Sequence, residues 1–359
     1  MAIKIIHCAD LHFDSPFTGL DSPKKAEIRR EELRQAFGRI VRLAADEKAD
    51  ALLICGDLFD GASVSAHTLR YIKEKFAEIP QIPVFICAGN HDPKTTGSYY
   101  KIFDWGDNVH IFSEQTEKIE FDGFDIYGAS FKSMDEPESK LSGFKVENSE
   151  KINIMAMHAD IGGSYNPITA QEIETSGLSY LALGHVHSYS GALAYGKTVA
   201  AYPGCPEGRG YDETGEKGVI KAIIDKNGTQ LEFVPISKRI YHQVEVDVTG
   251  AANYEALCGR ILMAMKGKAE DLYKIVLTGE AEFPVQPAII LENLQCFSAK
   301  IKDETHAHID YDAMKDEYSL KGIFLKNILA DKNDENAQLI NQALGYGLAA
   351  ISGEKVKLP

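Results

Sequence analysis

Five short blocks rich in Asp, His and Asn follow one another along the chain: Asp10-Leu11-His12, Gly56-Asp57-Leu58-Phe59-Asp60, Gly89-Asn90-His91-Asp92, Met157-His158 and Gly184-His185-Val186-His187. Hard to borderline divalent metals accept such mixed carboxylate, imidazole and carbonyl donors, and the chain offers a set for each of two ions. Asp10 and His12 can reach one ion from a single strand-loop junction, while Asn90 and His158 can reach a neighbouring one. Asp57, with two oxygens at a central strand end, is the natural bridge. His185 and His187, two apart, can present their imidazoles to different ions. Two ions roughly 3.5–4 Å apart clamp both the attacking and the leaving oxygen of a phosphoester, so the implied reaction is hydrolysis by in-line attack. His91 sits beside a ligand and suits a general acid for the leaving oxygen. Asp60, three residues after the bridge, can hold that imidazole in its productive orientation.

The elements that must position these groups are legible around them. Ile3 to Cys8, Ala51 to Cys55 and Pro83 to Ala88 are apolar, strand-like runs that end at the first three blocks. α/β proteins usually place their chemistry at such strand ends. Between them, Lys24 to Lys48 carries a helical stripe (Leu33, Phe37, Ile40, Val41, Ala44) and Ser65 to Glu78 reads as a second helix. This β-α-β-α-β opening predicts a parallel sheet with covering helices. Short strands at 109–112, 118–121 and 124–127 suggest antiparallel additions or a second sheet. Residues 132–149 read as a surface loop. Further strands are expected at 152–157, 180–183, 198–202, 218–225 and 230–235. Glycines 56, 89 and 184, each next to a ligand, permit tight turns and close backbone approach.

Three regions result: a catalytic domain over 1–236, an α+β capping domain over 237–311, and a helical C-terminal segment over 312–359 that can bind a partner. The last is read as two helices, 316–329 and 335–351. Leu320, Ile323, Phe324 and Ile328, then Leu339, Ile340, Leu344 and Leu348, form their apolar faces. Those faces either pack on their own domain or dock a partner helix in a groove.

The composition is that of an ordinary globular chain, 44% hydrophobic and 25% charged. The N-terminal apolar run is broken by Lys4 and His7 and reads as a first strand rather than a signal peptide. No stretch reaches the roughly 18 apolar residues of a membrane span. The six cysteines show no CxxC pairing, so a reduced, cytoplasmic protein without a membrane partner is expected. The net charge of −15 is awkward for an enzyme acting on nucleic acid, whose affinity usually comes from clustered Lys and Arg.

The ordered set DxH, GDxxD, GNHD, H, GHxH resembles the calcineurin-like metallophosphoesterase superfamily. The longer context, His7-Cys8-Ala9-Asp10-Leu11-His12-Phe13-Asp14-Ser15-Pro16-Phe17 with Tyr202-Pro203-Gly204 after the last block, is similar to the SbcD-type, YhaO-like bacterial DNA-repair exonucleases. The resemblance covers about the first 236 residues. It implies a four-layer α-β-β-α sandwich with a smaller α+β cap, two divalent ions (Mn²⁺, with Fe, Zn, Ni or Mg as alternatives) and an SbcC-like coiled-coil ATPase partner. DNA is the implied substrate and a homodimer a possible assembly. Two rivals stand beside this reading: a phosphomonoesterase or cyclic-nucleotide phosphodiesterase of the same fold, and a non-catalytic protein-binding scaffold.

Other candidate groups carry less. His306, His308 and Asp310 have ligand-like spacing but read as a solvated strand face, and His7, His67, His110 and His242 have no companion cluster. Lys24 to Arg42 holds seven basic and three acidic residues. It reads as the solvated side of an amphipathic helix more readily than as a contact to a phosphate backbone. Arg209, in a Gly-rich loop, can reach a substrate phosphate or form a structural salt bridge.

Overall fold

The computed structural model describes residues 2–61, 63–308, 310–333 and 336–353. Residues 3–111 form β1 (Ile3–Cys8), α1 (Pro23–Asp46), β2 (Ala51–Cys55), α2 (Ala66–Ala77), β3 (Val84–Cys87), the single-turn α3 (Tyr99–Ile102) and β4 (Val109–Ile111). Residues 117–201 form β5 (Glu117–Glu120), β6 (Phe124–Ala129), β7 (Ile152–His158), β8 (Asp160–Ile161), β9 (Pro167–Ile168), α4 (Ala170–Thr175), β10 (Tyr180–Gly184), β11 (Leu193–Tyr195) and β12 (Thr198–Ala201). The hairpin β13 (Gly218–Asp225) and β14 (Gly228–Pro235) follows. α1 starts where the sequence supplies both signals: Ser22 caps it by accepting from the Lys25 N–H, and Pro23 stands in its first turn.

Two six-stranded sheets result, ordered β14-β13-β1-β2-β3-β4 and β11-β12-β10-β7-β6-β5. β1 to β4 run parallel, as do β6, β7, β10 and β12, with antiparallel strands at the edges. The period-two alternation of strands sorts the side chains into layers. Ile6, Cys8, Leu52, Ile54, Val84 and Ile86 face the helices and meet Leu33, Phe37, Ile40, Ile72 and Phe76 of α1 and α2. Ile5, Leu53, Cys55 and Phe85 face the second sheet and meet Ile154, Ala156, Tyr180 and Ala182. Met155, Met157, Leu181 and Leu183 face outward onto Ile168, Ile173, Leu178 and Leu141. The expected α-β-β-α layering is present, but the fourth layer is thin, a six-residue helix supplemented by loop. The 132–149 segment is therefore less of a surface loop than its polarity predicts, since Leu141 is fully buried in that outer core.

The basic stretch of α1 also differs from expectation. Arg29 is fully buried, bound to Glu32 at 2.7 Å and Glu207 at 2.8 Å, and Arg39 donates to the Ile236 carbonyl. Arg30 and Arg34 pair with Glu27 and Glu31. Removing one partner from so buried a pair leaves an uncompensated charge costing roughly 3–5 kcal/mol.

Contacts divide the chain into one unit of 1–244, 263–275 and 294–301 and a second of 245–262, 276–293 and 302–359. Beyond residue 240 lie β15 (Tyr241–Asp247), α5 (Tyr254–Ala264), β16 (Leu272–Thr278), β17 (Glu280–Ala281), α6 (Pro287–Glu292), β18 (Ser298–Asp303), β19 (His306–Ala307), α7 (Tyr311–Lys315), α8 (Leu320–Ala330) and α9 (Ala337–Ile351). β15, β16 and β18 make a three-stranded sheet and β17 pairs with β19. The helix read over 316–329 starts later than expected, as α8 at Leu320, because Ser319 caps it by accepting from the Gly322 N–H; residues 316–319 are turn, and the short α7 lies before them. In the second unit Leu325, Leu344 and Leu348 bury against one another, while Leu320, Ile323 and Leu339 stay exposed. The end of the proposed 312–359 segment, residues 354–359, lies outside the described residues. His308 binds Glu280 at 2.9 Å beside the exposed His306. All six cysteines are free thiols. Among the described residues, no helix is long and apolar enough to cross a membrane.

Candidate active site

The carboxyl ends of β1, β2, β3, β7 and β10 converge, and each delivers one of the five blocks. The turns there are tight enough that four polar residues adopt left-handed backbone: Asp10 (φ 54°), His12 (φ 47°), Asp57 (φ 50°) and His185 (φ 111°). Non-glycine residues persist in that region only where the surroundings over-determine them, and such residues cluster at functional sites. The neighbouring glycines are sterically obligatory. A Cβ on Gly56 would lie 2.1 Å from His158 Nδ1, on Gly89 2.2 Å from Asp57 Oδ1, and on Gly184 1.7 Å from the Cys55 carbonyl oxygen.

Three imidazoles are oriented by their outer nitrogens. Nδ1–H of His12 donates to Asp60 Oδ1 (3.1 Å), that of His158 to the Cys55 carbonyl (3.0 Å), and that of His187 to Glu213 Oε1 (2.7 Å). All three Nε2 lone pairs then point inward. Nε2 of His12 and Nε2 of His158 lie 3.6 and 3.5 Å from Asp57 Oδ2, and Nε2 of His187 lies 3.8 Å from Asp10 Oδ1. Nε2 of His158 also faces Asn90 Oδ1 at 2.9 Å, and Nε2 of His12 faces Nε2 of His187 at 3.3 Å. Acceptors this close repel unless positive charge lies between them. Three compact sets of ligand atoms emerge: Asp10 with His12 and His187, Asp10 with Asp57 and His158, and, at the accessible edge, His12 with Asp60 and His91. Outer nitrogens held by carboxylate or carbonyl, with the other nitrogen free, are the usual arrangement around metal-ligating histidines. The donor set therefore fits divalent cations.

His185 stands on the His158 side, its ring 5.2 Å from that of His158 and its Nε2 3.8 Å from Asp160 Oδ2. Its backbone N–H donates to both oxygens of Asp10 at 3.1 Å. The two histidines of the fifth block thus face different ligand sets. His91 is the exposed member of the cluster, with its side chain 44% accessible while His12 and His158 are fully buried. Its ring lies 4.7 Å from that of His12, edge to face, and its backbone N–H donates to Asp57 Oδ1 at 2.9 Å.

Asp60 does more than the sequence suggests. Its Oδ1 lies 3.5 Å from His91 Nδ1, but 3.1 Å from both His12 Nδ1 and Arg209 Nη1. Arg209 is tied on its other side to Glu213 at 3.2 Å, so the guanidinium spans Asp60 and Glu213 and lies mostly buried. Glu213 and Asp160 carry no motif of their own. Glu213 follows His187 by 26 residues, and its only sequence cue is the Gly-rich loop it shares with Arg209.

The electrostatics follow from desolvation in a crowded polar pocket. Burial raises the Asp10 carboxyl to about 6 against the opposing pull of His158 and His187, and lowers the His12 imidazole to about 4. Burial also pushes Asp57 upward, but the imidazoles of His158, His12 and His91 outweigh it and hold the carboxyl below its ordinary value. For Glu213, burial is outweighed by the His187 hydrogen bond and the Arg209 charge, which hold it well below the usual range. Asp92 rises to about 7 through burial and the nearby Asp57.

The sequence matches the family of calcineurin-like phosphoesterases over residues 3–189, more than half of the chain. An uncharacterized metallophosphoesterase, YhaO, of Bacillus subtilis is 32% identical over 71% of this chain, and the chain spans 65% of that relative's length. The DNA double-strand break repair protein Mre11 of Sulfolobus acidocaldarius is 25% identical, over 82% of this chain and 79% of its own. That of Methanocaldococcus jannaschii is 26% identical over 66% of each.

Proposed function

Because this chain belongs to the calcineurin-like phosphoesterase family, a hydrolase family that uses divalent metals, we propose that it is a metal-dependent phosphodiesterase that cleaves DNA. Asp10, His12, Asp57, Asn90, His158, His185 and His187 would hold two ions, Mn²⁺ by preference. When bound, such ions supply Lewis-acid polarisation of the phosphoryl oxygens and neutralise developing charge.

The observation that carries the reading is the contrast between His91 and its neighbours. The imidazoles of His12, His158 and His187 have Nδ1 held by Asp60, the Cys55 carbonyl and Glu213 with Nε2 turned inward, whereas His91 stays accessible at the edge of the cluster with Nδ1 facing Asp60. That leaves its Nε2 for the departing oxygen, to which it delivers a proton, while Asp60 holds the ring in register. Arg209, anchored between Asp60 and Glu213, helps to place Asp60, and its guanidinium offers charge to a substrate phosphate at the same edge. Against burial, the Asp60 carboxyl is held below its ordinary value by the His12 hydrogen bond and charge first and by Arg209 after them. The relatives named as DNA double-strand break repair proteins support DNA over a small phosphomonoester.

His91→Asn tests the assignment. The variant is expected to retain two metals by elemental analysis and to lose roughly 10²–10⁴-fold in cleavage of end-labelled duplex with Mn²⁺. Undiminished turnover refutes the acid role, and faster hydrolysis of p-nitrophenyl phosphate than of its bis ester favours the monoesterase.

The same proposal places an SbcC-like coiled-coil ATPase against the exposed Leu320, Ile323 and Leu339 of α8 and α9. Loss of co-purification in a Leu320→Glu, Ile323→Glu double variant is the expected outcome, and unaltered binding rejects that surface.

A further inference from the structure

Beside His91, on the side away from the buried ligands, lies a cavity of about 260 Å³ lined by Phe59, His91, Asp92, Tyr99, Tyr100 and Met134, with small residues completing the wall. Its chemistry is unlike that of the ligand cluster. Asp92 is largely committed to the fold: Oδ1 accepts the Gly89 N–H at 2.7 Å, and Oδ2 accepts the Phe59 N–H at 2.9 Å and the Tyr100 hydroxyl at 2.5 Å. Among the described residues, no Lys or Arg lines the cavity, so nothing there recognises a second phosphate.

What the cavity offers is aromatic and soft. Phe59, Tyr99 and Tyr100 form one ring cluster, with Phe59 5.7 Å from Tyr100 and 6.5 Å from Tyr99. Met134 stands on the lip with 68% of its surface exposed. A thioether presented to solvent at the mouth of an aromatic cavity is unusual, and sulfur pairs favourably with ring edges. The mouth is open at Gly61 and Gly97, where a Cβ would meet nothing within 4 Å.

We propose that this cavity receives one nucleobase of the strand being cut, that of the nucleoside on the leaving-oxygen side of the scissile phosphate. The inference rests on the phosphodiesterase reading above. His91 ties the two regions together, because one imidazole both lines the cavity and stands 3.5 Å from Asp60 at the ligand cluster. A nucleoside whose oxygen takes the His91 proton has its base within reach of the same wall. The volume lies below the roughly 300 Å³ lower bound of drug-sized pockets, so it takes a single ring system and not a base pair. The base must therefore be unstacked, as in a single strand or a frayed end. Recognition by stacking tolerates any base, because each has a π-face.

The test compares two single-stranded oligonucleotides with the full-length Mn²⁺-loaded protein, identical except that one carries a tetrahydrofuran abasic residue on the leaving side of the cleaved bond. The abasic strand is expected to show about a tenfold higher KM with kcat within a factor of two, from loss of one stacked base. Met134→Ala, at an exposed position where folding is not at stake, and Tyr99→Ala should both narrow that gap. In the non-turning His91→Asn protein, 2-aminopurine placed at the same position should lose fluorescence on binding. Cleavage of both strands with equal KM overturns the base pocket and leaves the phosphodiesterase reading standing. Cleavage of neither strand overturns that reading and the pocket with it.

Discussion

Replacing Glu213 reaches the candidate metal centre without touching a proposed ligand. Its Oε1 accepts from His187 Nδ1 at 2.7 Å, which fixes both the tautomer and the ring angle that aim Nε2 at Asp10 and His12. Outer partners of ligating histidines are typically worth 10–100-fold in metal affinity. That range corresponds to about 1.4–2.7 kcal/mol. Glu213→Gln keeps an amide oxygen that can still accept from Nδ1 and should sit near the lower figure, whereas Glu213→Ala removes the acceptor and should approach the upper one. His187 belongs with Asp10 and His12, while His158 and Asp57 form the other proposed ligand set and share only Asp10 with it, so the loss should fall mainly on one of two binding steps. Calorimetric titration of the metal-free protein with Mn²⁺ resolves the steps. Thermal melting without metal serves as the control, because Glu213 also accepts from the Arg209 backbone at 2.7 Å. Affinities unchanged within twofold, or an equal loss at both steps, would refute the claim that Glu213 acts through His187.

Two further predictions concern the scaffold. His7 is fully buried, donating to the Leu183 carbonyl and accepting from the Tyr180 hydroxyl, and burial lowers its pKa from 6.5 to about 3. The unfolded chain therefore takes up a proton below pH ~6.5 that the native state refuses. Stability conferred by the neutral ring is complete above that pH and lost as pH falls toward 3. Denaturant titrations of wild type and His7→Gln between pH 7 and 4 should show the wild-type curve steeper by up to about 1.4 kcal/mol per pH unit, and parallel curves would contradict the assignment. Gly184→Ala places a methyl 1.7 Å from the Cys55 carbonyl, where backbone must give way. A loss of at least about 3 kcal/mol in chemical denaturation is expected, and a loss under 1 kcal/mol would show that the β2–β10 junction relaxes more readily than its geometry implies.

The proposed ligand residues are readable because their signals are local. Each follows an apolar run of strand length, and the glycine beside three of them is demanded by a contact measurable in the fold. The partners that complete the site are not local. Glu213 meets His187, and Asp60 turns toward His12 and Arg209 as well as His91, through loops whose folding depends on both sheets being assembled. Arg29 departs from the solvated face expected of α1 for a related reason. Charge at helical spacing says nothing of a carboxylate such as Glu207, nearly 180 residues away, that draws Arg29 into the core. At the other end of the chain, the cap that sets the start of α8 is legible at Ser319, and it puts that start four residues after the one expected from the apolar spacing alone.

The proposed ligands are divided between the two sheets. Asp10, His12, Asp57 and Asn90 leave the ends of β1, β2 and β3, whereas His158, His185 and His187 belong to β7 and β10, and those strand ends are otherwise joined by the apolar layer between the sheets and a few hydrogen bonds, such as His158 to the Cys55 carbonyl and the His185 N–H to Asp10. Ions gripped from both sides act as a fastener across that layer. Any ligand that binds only the closed arrangement stabilises it by mass action, about 2.7 kcal/mol at a hundredfold excess over Kd. Metal supply would then govern how often the sandwich opens as well as how fast it cuts, and a metal-starved molecule would expose its inter-sheet core before it lost its helices.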